Sequence, residues 1–591
     1  MSLSLLQRAV VIGIMSALLP GIAAWGRSPD KLSKELLGTK SDREADVIVQ
    51  FSAAPTQHHH ETIEPLGGRL KTDLSGAIKG AHYQLSLSRI AELSEDPEIT
   101  YISLDRPVKG ALEFANPAVN ADIARANGWV GAGVGIALID SGITNNTDLK
   151  TSGAHASRVV YSESFVPGLT ATNDQYGHGT HVAGILAGDA SQSTGVGYTK
   201  SFRGIAPNAN LINLRVLDSQ GSGQDSYVIN AIQTAIRLRS TYNIRVINLS
   251  LGRPVFESYS QDPLCQAVEA AWNAGIVVVV AAGNLGRDNS QGNSGYGTIQ
   301  APGNDPLVIT VGAMNDKLTP WRSDDVMTSY SSKGPSLIDH VVKPDIVAPG
   351  NRVISLANSV GTLYQQFSTS LNRVPWQYYW MTNAPGYSSN YYKLSGTSMA
   401  APIVSGTAAL MIQHDATLNP DTVKGRLMKS ATKAFPMFTS VTDPVTDITY
   451  GIQYDIFTVG AGYVDAWAAL NATDTIQDVG GAASPIAVYD GATGQVTITN
   501  QVDASRRSAV WGSAAVWGRS AVWGSAAVWG SSIWLDGPSA IWGSSAVWGS
   551  SAIWGCSARQ GFSAVWGSNA LGGNTIVDGS EAITLAINGE N

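Results

Sequence analysis

The sequence predicts an α/β protein in which a parallel sheet lies between two layers of helices. From about residue 108 to 470, short apolar runs alternate with helical patterns, and several runs are apolar on both faces, as strands covered by helices are. A small α+β unit is predicted over residues 45–107. A tail over residues 477–591 carries a six-residue repeat and is predicted to be either rich in β structure or disordered.

The composition agrees with a folded protein of several domains. The chain has 591 residues, of which 44% are hydrophobic and 14% charged, and this balance excludes a disordered polyelectrolyte. With 38 Lys and Arg against 46 Asp and Glu the net charge is −8, which gives no electrostatic reason to expect a nucleic-acid partner. The two cysteines, Cys265 and Cys556, cannot form a disulfide framework, although one bridge between them stays open.

Residues 1–24 have the pattern of a secretory signal peptide. Arg8 supplies a positive charge, residues 9–19 are almost wholly apolar, and small residues follow, with Gly21 and Ala23 just before the expected cut. A buried N-terminal helix is the alternative. No later segment reaches about 18 uncharged apolar residues, so we expect a secreted, soluble protein.

The small unit at 45–107 shows strand patterns at residues 47–51 and 99–104 and a short helix at 86–93. Three adjacent histidines, residues 58–60, are predicted to lie in its first loop. A solvated loop and a metal site are the two interpretations, and the sequence shows no spaced partner ligand for a metal.

The next region supplies the sheet and helices of the predicted core. Its clearest patterns are strands over residues 134–139, 245–251, 275–282 and 307–311, and helices over 225–239 and 264–273.

In the tail, residues 496–499 are the clearest strand, and Trp recurs mostly at every sixth residue between Ser508 and Ser568. An even spacing puts every Trp on the same face of an extended chain. Short strands stacked in a solenoid and low-complexity disorder stay open as equal alternatives.

Three segments carry the residue types of nucleophilic catalysis, each at the end of a strand or the start of a helix. Asp140 follows an apolar strand, His178 opens a helix of small residues, and Ser398 opens another. Because ligands bind at the carboxyl ends of strands in open α/β sheets, we expect these pieces to converge. The carboxylate can then fix one tautomer of the imidazole, which can take the proton of the hydroxyl.

A helix start suits the nucleophile because its unpaired N–H groups point toward developing negative charge. The Ser398 N–H is one expected oxyanion donor, and Asn284, after the valine-rich strand, is a second. Taken singly, Asp140 and Asn284 are also typical turn residues, and Ser398 a typical helix cap. An α/β-hydrolase elbow, Gly-x-Ser-x-Gly, is a nearby alternative, but Ala400 stands at its last position.

Together the segments resemble the motifs of the subtilisin-like serine proteases (subtilases, peptidase family S8). The motifs are Asp-Ser-Gly, His-Gly-Thr-His-Val-Ala-Gly, Ala-Ala-Gly-Asn and Gly-Thr-Ser-Met-Ala-Ala-Pro, in that order, and the resemblance covers about residues 108–470. It implies a serine endopeptidase in which Asp140 orients the imidazole, His178 is the general base, Ser398 is the nucleophile and Asn284 is the oxyanion donor.

The resemblance also implies a substrate site for extended polypeptides. One edge would pair with the peptide backbone and one wall would line the pocket for the residue before the scissile bond; these residues are Ser250, Leu251 and Gly252 on the edge, and Ala282 and Gly283 on the wall. Gln300 aligns near the floor of the pocket. No buried acid is evident there, so a preference for apolar or medium-sized residues is expected.

The unit at 45–107 resembles the subtilase propeptide, an intramolecular chaperone and inhibitor. A parallel sheet of high contact order folds slowly, which gives a physical reason for a folding aid. We therefore expect a zymogen that cuts itself between about residues 107 and 120.

No cofactor is required by the implied chemistry, and no metal site is assigned. Family members often bind calcium, but residues 189–203 lack the carboxylates of a strong calcium loop, and Asp148 alone is insufficient. Structural calcium is therefore possible but not supported by the sequence. Residues 351–393 form a long insertion rich in Tyr and Trp, which either rims the cleft or packs as a structured excursion.

A binding or structural protein is the rival function. In that case the Trp-rich tail carries the binding or structural function, and the protease region only processes or carries the tail. Regularly spaced exposed aromatic residues can bind surfaces or self-associate as β structure.

Overall fold

The computed structural model describes residues 31–32, 36, 41–75, 79–104, 114–151, 156–290, 292–443, 445–490, 495–499, 501–503, 506–507, 532–534 and 586–590. Two compact units are present, Met1–Val108 and Lys109–Asn591. The predicted signal peptide and nearly all of the Trp repeat lie outside the described residues. Among the described residues, no helix is both long and apolar enough to cross a bilayer.

The first unit is a four-stranded antiparallel sheet covered by short helices. Its elements are β1 (Glu44–Phe51), α1 (Gln57–Ile63), β2 (Arg69–Asp73), β3 (Gly80–Ser86), α2 (Ile90–Leu93) and β4 (Ile99–Leu104). The strand order is β2-β3-β1-β4, and both predicted strands are present. The predicted helix at 86–93 is a 3₁₀ turn, Leu87–Arg89, followed by α2.

The prediction that the three histidines lie in a loop is wrong, because they belong to α1. No Gly or Pro interrupts this stretch, and Thr56 and His59 close a reciprocal capping box at the start of the helix. His59 is buried against Phe51, and His60 Nδ1 lies 2.6 Å from the Tyr83 hydroxyl. The helix therefore uses His59 and His60 for packing and hydrogen bonding.

The second unit contains the remaining elements. They are α3 (Ala115–Ala118), α4 (Ala121–Ala126), β5 (Gly135–Asp140), β6 (Val159–Ser164), α5 (His178–Ala187), β7 (Asn210–Arg215), α6 (Asp225–Tyr242), β8 (Ile244–Leu249), α7 (Pro263–Asn273), β9 (Val277–Ala281), β10 (Ile309–Asn315), β11 (Val326–Met327), β12 (Ile346–Pro349), β13 (Val353–Leu356), α8 (Thr362–Phe367), β14 (Arg373–Pro375), α9 (Trp376–Tyr379), β15 (Tyr387–Leu394), α10 (Thr397–His414), α11 (Pro420–Ser430), β16 (Phe438–Thr442), β17 (Thr449–Gln453), α12 (Ile456–Val459), α13 (Ala466–Asn471), β18 (Ile486–Asp490), β19 (Gln495–Thr499), β20 (Gln501–Asp503), β21 (Arg506–Arg507) and β22 (Ser532–Trp534).

The main sheet has the order β11-β10-β9-β8-β5-β7-β6, with β12 also paired to β10. All its pairs are parallel except β10 with β11. Every residue of β5, β9 and β10 is buried, which explains why their sequences are apolar on both faces. Helices α5 and α10 pack against each other and the sheet, and α6 and α7 form a second such pair. The predicted α/β architecture is thus present.

The insertion at 351–393 packs as a structured excursion. Its strands β13, β15 and β14 form a separate sheet, and Tyr379, Tyr391 and Tyr392 are fully buried. These three tyrosines therefore serve as core, whereas Trp380 and Tyr387 are exposed.

Beyond the main sheet, β18 pairs with β19, and β19 pairs with β22 in the repeat region. The predicted strand at 496–499 lies within β19. Cys265 is a free, buried cysteine, whereas Cys556 is outside the described residues. Residues 586–590, at the end of the chain, lie in the second unit.

Candidate active site

The end of β5 holds Asp140 beneath the surface, with only 1% of the residue exposed. Its Oδ1 accepts a hydrogen bond from the Ser141 N–H (2.7 Å) and lies 3.2 Å from the Ser141 hydroxyl oxygen. The same oxygen lies 2.8 Å from His178 Nδ1. Because a carboxylate only accepts, Nδ1 carries the proton, and Nε2 is left as the basic nitrogen of the neutral ring.

His178 is the first residue of α5, and buried Asp174 caps this helix. The Asp174 carboxylate accepts from the N–H groups of Gly177 (2.7 Å) and Thr180 (2.8 Å) and from the Ser141 hydroxyl (2.8 Å). Two otherwise orphaned N–H groups of the helix start are satisfied in this way. Asp174 therefore fixes where the helix begins and, through Ser141, ties that start to the end of β5.

Opposing effects set the charge state of His178. Burial lowers the pKa of the imidazole, but attraction to Asp140, their hydrogen bond and the Asp174 charge together outweigh burial and raise the pKa above 6.5. Its side chain keeps 15% exposure, so the ring can reach a bound substrate.

His181 lies on the buried side of the same helix and has a different role. Its Nε2 lies 3.1 Å from the Val353 carbonyl oxygen, and its ring packs edge-on against Tyr392. Burial, with a smaller contribution from the His178 charge, lowers the pKa of His181 to about 3. It is thus a neutral packing residue.

Ser398, the second residue of α10, makes a reciprocal pair of hydrogen bonds with Ser250. The Ser398 hydroxyl donates to the Ser250 carbonyl (3.1 Å), and the Ser250 hydroxyl donates to the Ser398 carbonyl (2.8 Å). Ser250 directly follows β8, whose Leu249 pairs with Ile139 of β5. Since paired strands lie about 4.8 Å apart, the nucleophile candidate sits beside the Asp140 end of β5.

The structure therefore brings Asp140 and His178 into direct contact and puts Ser398 at the same sheet edge. Among the described residues, the partner of the Ser398 hydroxyl is Ser250 rather than His178. Hydrogen bonds of this kind often tighten only when substrate is bound, and a rotation about χ1 of the serine is enough to redirect its hydroxyl.

Asn284 lies next to the start of α10, and its amide orientation is fixed by its neighbour. The Thr397 N–H can only donate, and it points at Asn284 Oδ1 (2.9 Å), as does the Thr397 hydroxyl (3.1 Å). The other end of the amide, Nδ2, consequently has its two hydrogens directed away from Thr397. Asn284 can therefore donate to an oxyanion beside the Ser398 N–H.

The predicted substrate residues lie at the ends of β8 and β9, which are paired through Leu249 and Val280. Beyond these strands, Gln300 packs closely against Gly252 and Gly283, because a methyl on either glycine would lie within 3.1 Å of the Gln300 side chain. The Gln300 N–H also donates to the Ala282 carbonyl (3.0 Å). A neutral polar side chain thus lies between the predicted edge and the predicted wall.

Leu251 is half-buried and packs on the main core, whereas Gly252 is exposed. The edge therefore leaves backbone accessible at Gly252, next to the nucleophile candidate.

Metal ligation was tested on the side chains that the structure describes. Among these residues, no group of three or more His, Cys, Asp or Glu is placed to hold a metal ion. Asp148 accepts from the Ser191 hydroxyl, the Gln192 N–H and the Tyr391 hydroxyl. Its carboxylate is therefore occupied by protein donors, including one from the insertion at 351–393.

Sequence reasoning missed Asp174 and the Ser250–Ser398 pair. Asp174 stands in a polar loop three residues before Gly177, the N-cap of α5, so its position does not mark it as a capping residue. No local signal marks a pair 148 residues apart.

Comparison with known proteins gives matches to a family model, to curated sequences and to a solved structure. A sequence model described as the subtilase family matches residues 131–452, more than half of the chain. The chain is 38% identical over 347 residues to serine protease AprX of Bacillus subtilis (strain 168), covering 58% of this chain and 71% of AprX. It is 32% identical over 402 residues to subtilisin E of the same organism, covering 66% of this chain and 87% of subtilisin E. A crystal structure of a cold adapted subtilisin-like serine proteinase matches 51% of this chain and 83% of its own at 28% identity, with a TM-score of 0.36.

Proposed function

The chain belongs to the subtilase family of serine endopeptidases, and from this premise we propose that it cleaves polypeptides through Asp140, His178 and Ser398 by way of an acyl-enzyme. The observation that carries the assignment is the 2.8 Å contact between His178 Nδ1 and buried Asp140 Oδ1. This contact leaves a basic Nε2 at a sheet edge that also holds the start of α10.

In the proposed reaction, the Ser398 hydroxyl leaves the Ser250 carbonyl and gives its proton to His178 Nε2 as Oγ attacks the peptide carbonyl. The resulting oxyanion accepts from Asn284 Nδ2 and the Ser398 N–H. The imidazolium then protonates the leaving amine, and the C–N bond breaks. Water, deprotonated by His178, attacks the ester of the acyl-enzyme. The ester C–O bond then breaks, His178 returns the proton to Ser398 Oγ, and the acid is released.

No cofactor enters this proposal, because the base, the acid and both oxyanion donors belong to the chain itself. Structural calcium has no support from the donor set described above, and we include none.

For the substrate, we propose backbone pairing along Ser250, Leu251 and Gly252, with Ala282 and Gly283 as a wall of the pocket. Gln300 is neutral, so an apolar or medium-sized residue before the scissile bond is the proposed preference. A Lys or Arg side chain would need an acid there to offset its desolvation.

We further propose export by the 1–24 signal and synthesis as a zymogen, with 45–107 as the inhibitory propeptide, 108–470 as the catalytic domain and 477–591 as the tail. The support for the propeptide is the separate compact unit that ends at Val108. The tail is proposed to contact surfaces or to self-associate through its Trp residues.

To test this proposal, purified wild type is compared with the variants Ser398→Ala and Ser405→Ala. Ser405 is the control, because it is a buried serine of the same helix whose hydroxyl donates to Asn248. We expect wild type and Ser405→Ala to be shortened at the N-terminus and to react with a serine-directed phosphonylating reagent. Ser398→Ala should stay at full length and unlabelled. A processed, labelled Ser398→Ala chain would refute the assignment.

A further inference from the structure

We propose that the last residues of the chain, 586–590, are a positioning element of the catalytic unit that holds the turn carrying Ser398. We call them the C-terminal clasp. The proposal rests on Ser398 being the nucleophile.

The clasp bonds directly to the residues that precede the nucleophile. The Ser395 N–H donates to the Ala586 carbonyl (2.9 Å), and the Ser395 hydroxyl accepts from the Arg352 N–H (2.9 Å). The Arg352 Nε donates in turn to the Asn588 carbonyl (2.9 Å). Ser395 lies three residues before Ser398, so the clasp acts on the turn from which α10 starts.

The clasp backbone is also paired with Asn351. The Asn351 amide donates to the Glu590 carbonyl (2.8 Å) and accepts from the Glu590 N–H (2.8 Å). The carbonyl of the preceding residue, Gly350, accepts from the Gly396 N–H (2.8 Å). Two residues of the turn before α10 are thus held in place. Ser395 is bonded to the clasp, and Gly396 is bonded to Gly350, whose neighbour Asn351 is bonded to the clasp.

The Glu590 carboxylate anchors the clasp in the interior. It is fully buried, pairs with Arg287 (2.7 Å) and accepts from the Ser329 N–H (3.1 Å) and from the Ser329 hydroxyl. Arg287 keeps only 9% of its side chain exposed and also pairs with Asp443 (2.6 Å). Removing Glu590 would leave this guanidinium with half of its carboxylate partners, which is costly in a buried site.

Packing at Gly589 and Ile587 shows that the clasp fits closely. Ile587 belongs to the main core at 3% exposure. A methyl on Gly589 would lie 2.4 Å from Ser395 Oγ and 2.7 Å from Asn351 Oδ1, and the φ of +61° at this residue favours glycine. Gly589→Ala should therefore displace the clasp without altering any charge.

Both flanks of the repeat belong to the catalytic unit. Ile486 bridges to Val341, and the Ala487 N–H donates to the His340 carbonyl (2.9 Å). If residues 508–568, which include β22, are removed, 37 residues still join Ala487 to Ala586, and a chain of that length reaches about 120 Å when fully extended. The repeat can therefore be removed without pulling the clasp away.

The test compares the full-length chain with three variants: deletion of residues 586–591, Gly589→Ala, and deletion of residues 508–568. Active sites are titrated with the phosphonylating reagent, and kcat and KM are measured per titrated site on a chromogenic peptide. A purely structural role would lower the titrated fraction and leave kcat per site unchanged.

We expect both clasp variants to lose roughly 10–100-fold in kcat per site, because a displacement near 1 Å at a reacting group has about that effect, with KM changed less than about 3-fold. The repeat deletion should stay within about 2-fold of full length. A synthetic peptide of residues 583–591 should restore kcat to the truncated chain, and the same peptide with Glu590→Gln should restore less.

Unchanged kcat per site in Gly589→Ala would overturn the proposal, as would an equal loss on removal of the repeat. If the truncated chain does not fold, Gly589→Ala decides the question alone. Ser398→Ala separates the two proposals. If Ser398→Ala still reacts with the phosphonylating reagent, the proposed function fails. If Ser398→Ala does not react while kcat per site is unchanged in the clasp variants, only the clasp proposal fails.

Discussion

Substitution of Gly179, the residue after His178, by Ala tests whether the contact of α5 with the end of β5 controls the rate of peptide hydrolysis. A methyl added at Gly179 would lie 2.3 Å from the Gly142 carbonyl oxygen and 3.2 Å from Asp140 Oδ1. Because an unstrained contact between heavy atoms needs about 3.5 Å, Gly179→Ala forces the two backbones apart by about 1 Å. The atoms in conflict are backbone or buried, so no flexible side chain can absorb the shift.

Two consequences follow from that separation. Overpacking of this kind costs about 1–3 kcal/mol of unfolding free energy. The 2.8 Å contact between His178 and Asp140 would also stretch beyond hydrogen-bonding range, and a misplacement near 1 Å costs about 10²-fold in rate. We expect Gly179→Ala to lose about 10²-fold in kcat per titrated site.

Gly406→Ala is the matched control. It lies in α10, two turns beyond Ser398, and its added methyl would lie 2.5 Å from Ile205 Cβ. Thermal unfolding is measured on phosphonylated enzyme so that self-digestion does not interfere, and kcat is measured per titrated site on a chromogenic peptide. Both variants should lose stability, but Gly406→Ala should keep kcat within a few-fold. Equal kcat in the two variants would refute the reasoning.

Two further predictions concern the base and the oxyanion site. Because Asp140 raises the pKa of His178 above 6.5, kcat/KM should rise with pH as the imidazole loses its proton, with a midpoint above 6.5 in a pH–rate profile; a midpoint below 6.5 would contradict this. Asn284→Leu and Asn284→Asp should both lower kcat by about 10²–10³-fold, but only the Leu variant deprives the Thr397 N–H of its acceptor and should also lose about 1–3 kcal/mol in unfolding experiments. Equal stability losses in the two variants would count against the amide orientation described above.

The sequence was most informative where local patterns and burial agree. The valine run of β9 and the apolar run of β5 are buried on both faces, so their composition alone predicted central parallel strands. The catalytic candidates could be identified because strand ends and helix starts carry short motifs in a fixed order. Helix α1 was missed because Ile63 is the one apolar residue among its seven, so the sequence shows no apolar stripe there.

The residues that support the site were not predictable, because their partners are distant in the chain. Ser250 meets Ser398 across 148 residues, and Glu590 meets Arg287 across 303 residues. Neither pair produces periodicity, and Ile587 is a single apolar residue near the end of the chain. Because only folding brings such groups together, no local sequence pattern predicts these contacts.

The charges around His178 explain why buried carboxylates suit a general base here. Asp174 is completely buried, and burial raises its pKa, but the two helix N–H groups and a hydroxyl that it accepts from oppose that shift. Asp140 gives Oδ1 to His178 and Ser141, and its buried Oδ2 has no hydrogen-bond partner among the described residues. The negative field at the ring is therefore not fully neutralised while the imidazole is neutral. When His178 takes the serine proton, the new positive charge on the imidazole lies next to these negative charges. The protonated imidazole is therefore stabilised more than the neutral ring, and an interaction that is stronger in the transition state than in the ground state lowers the barrier. Burial of the imidazole opposes the same charge and so limits how far the pKa of His178 rises.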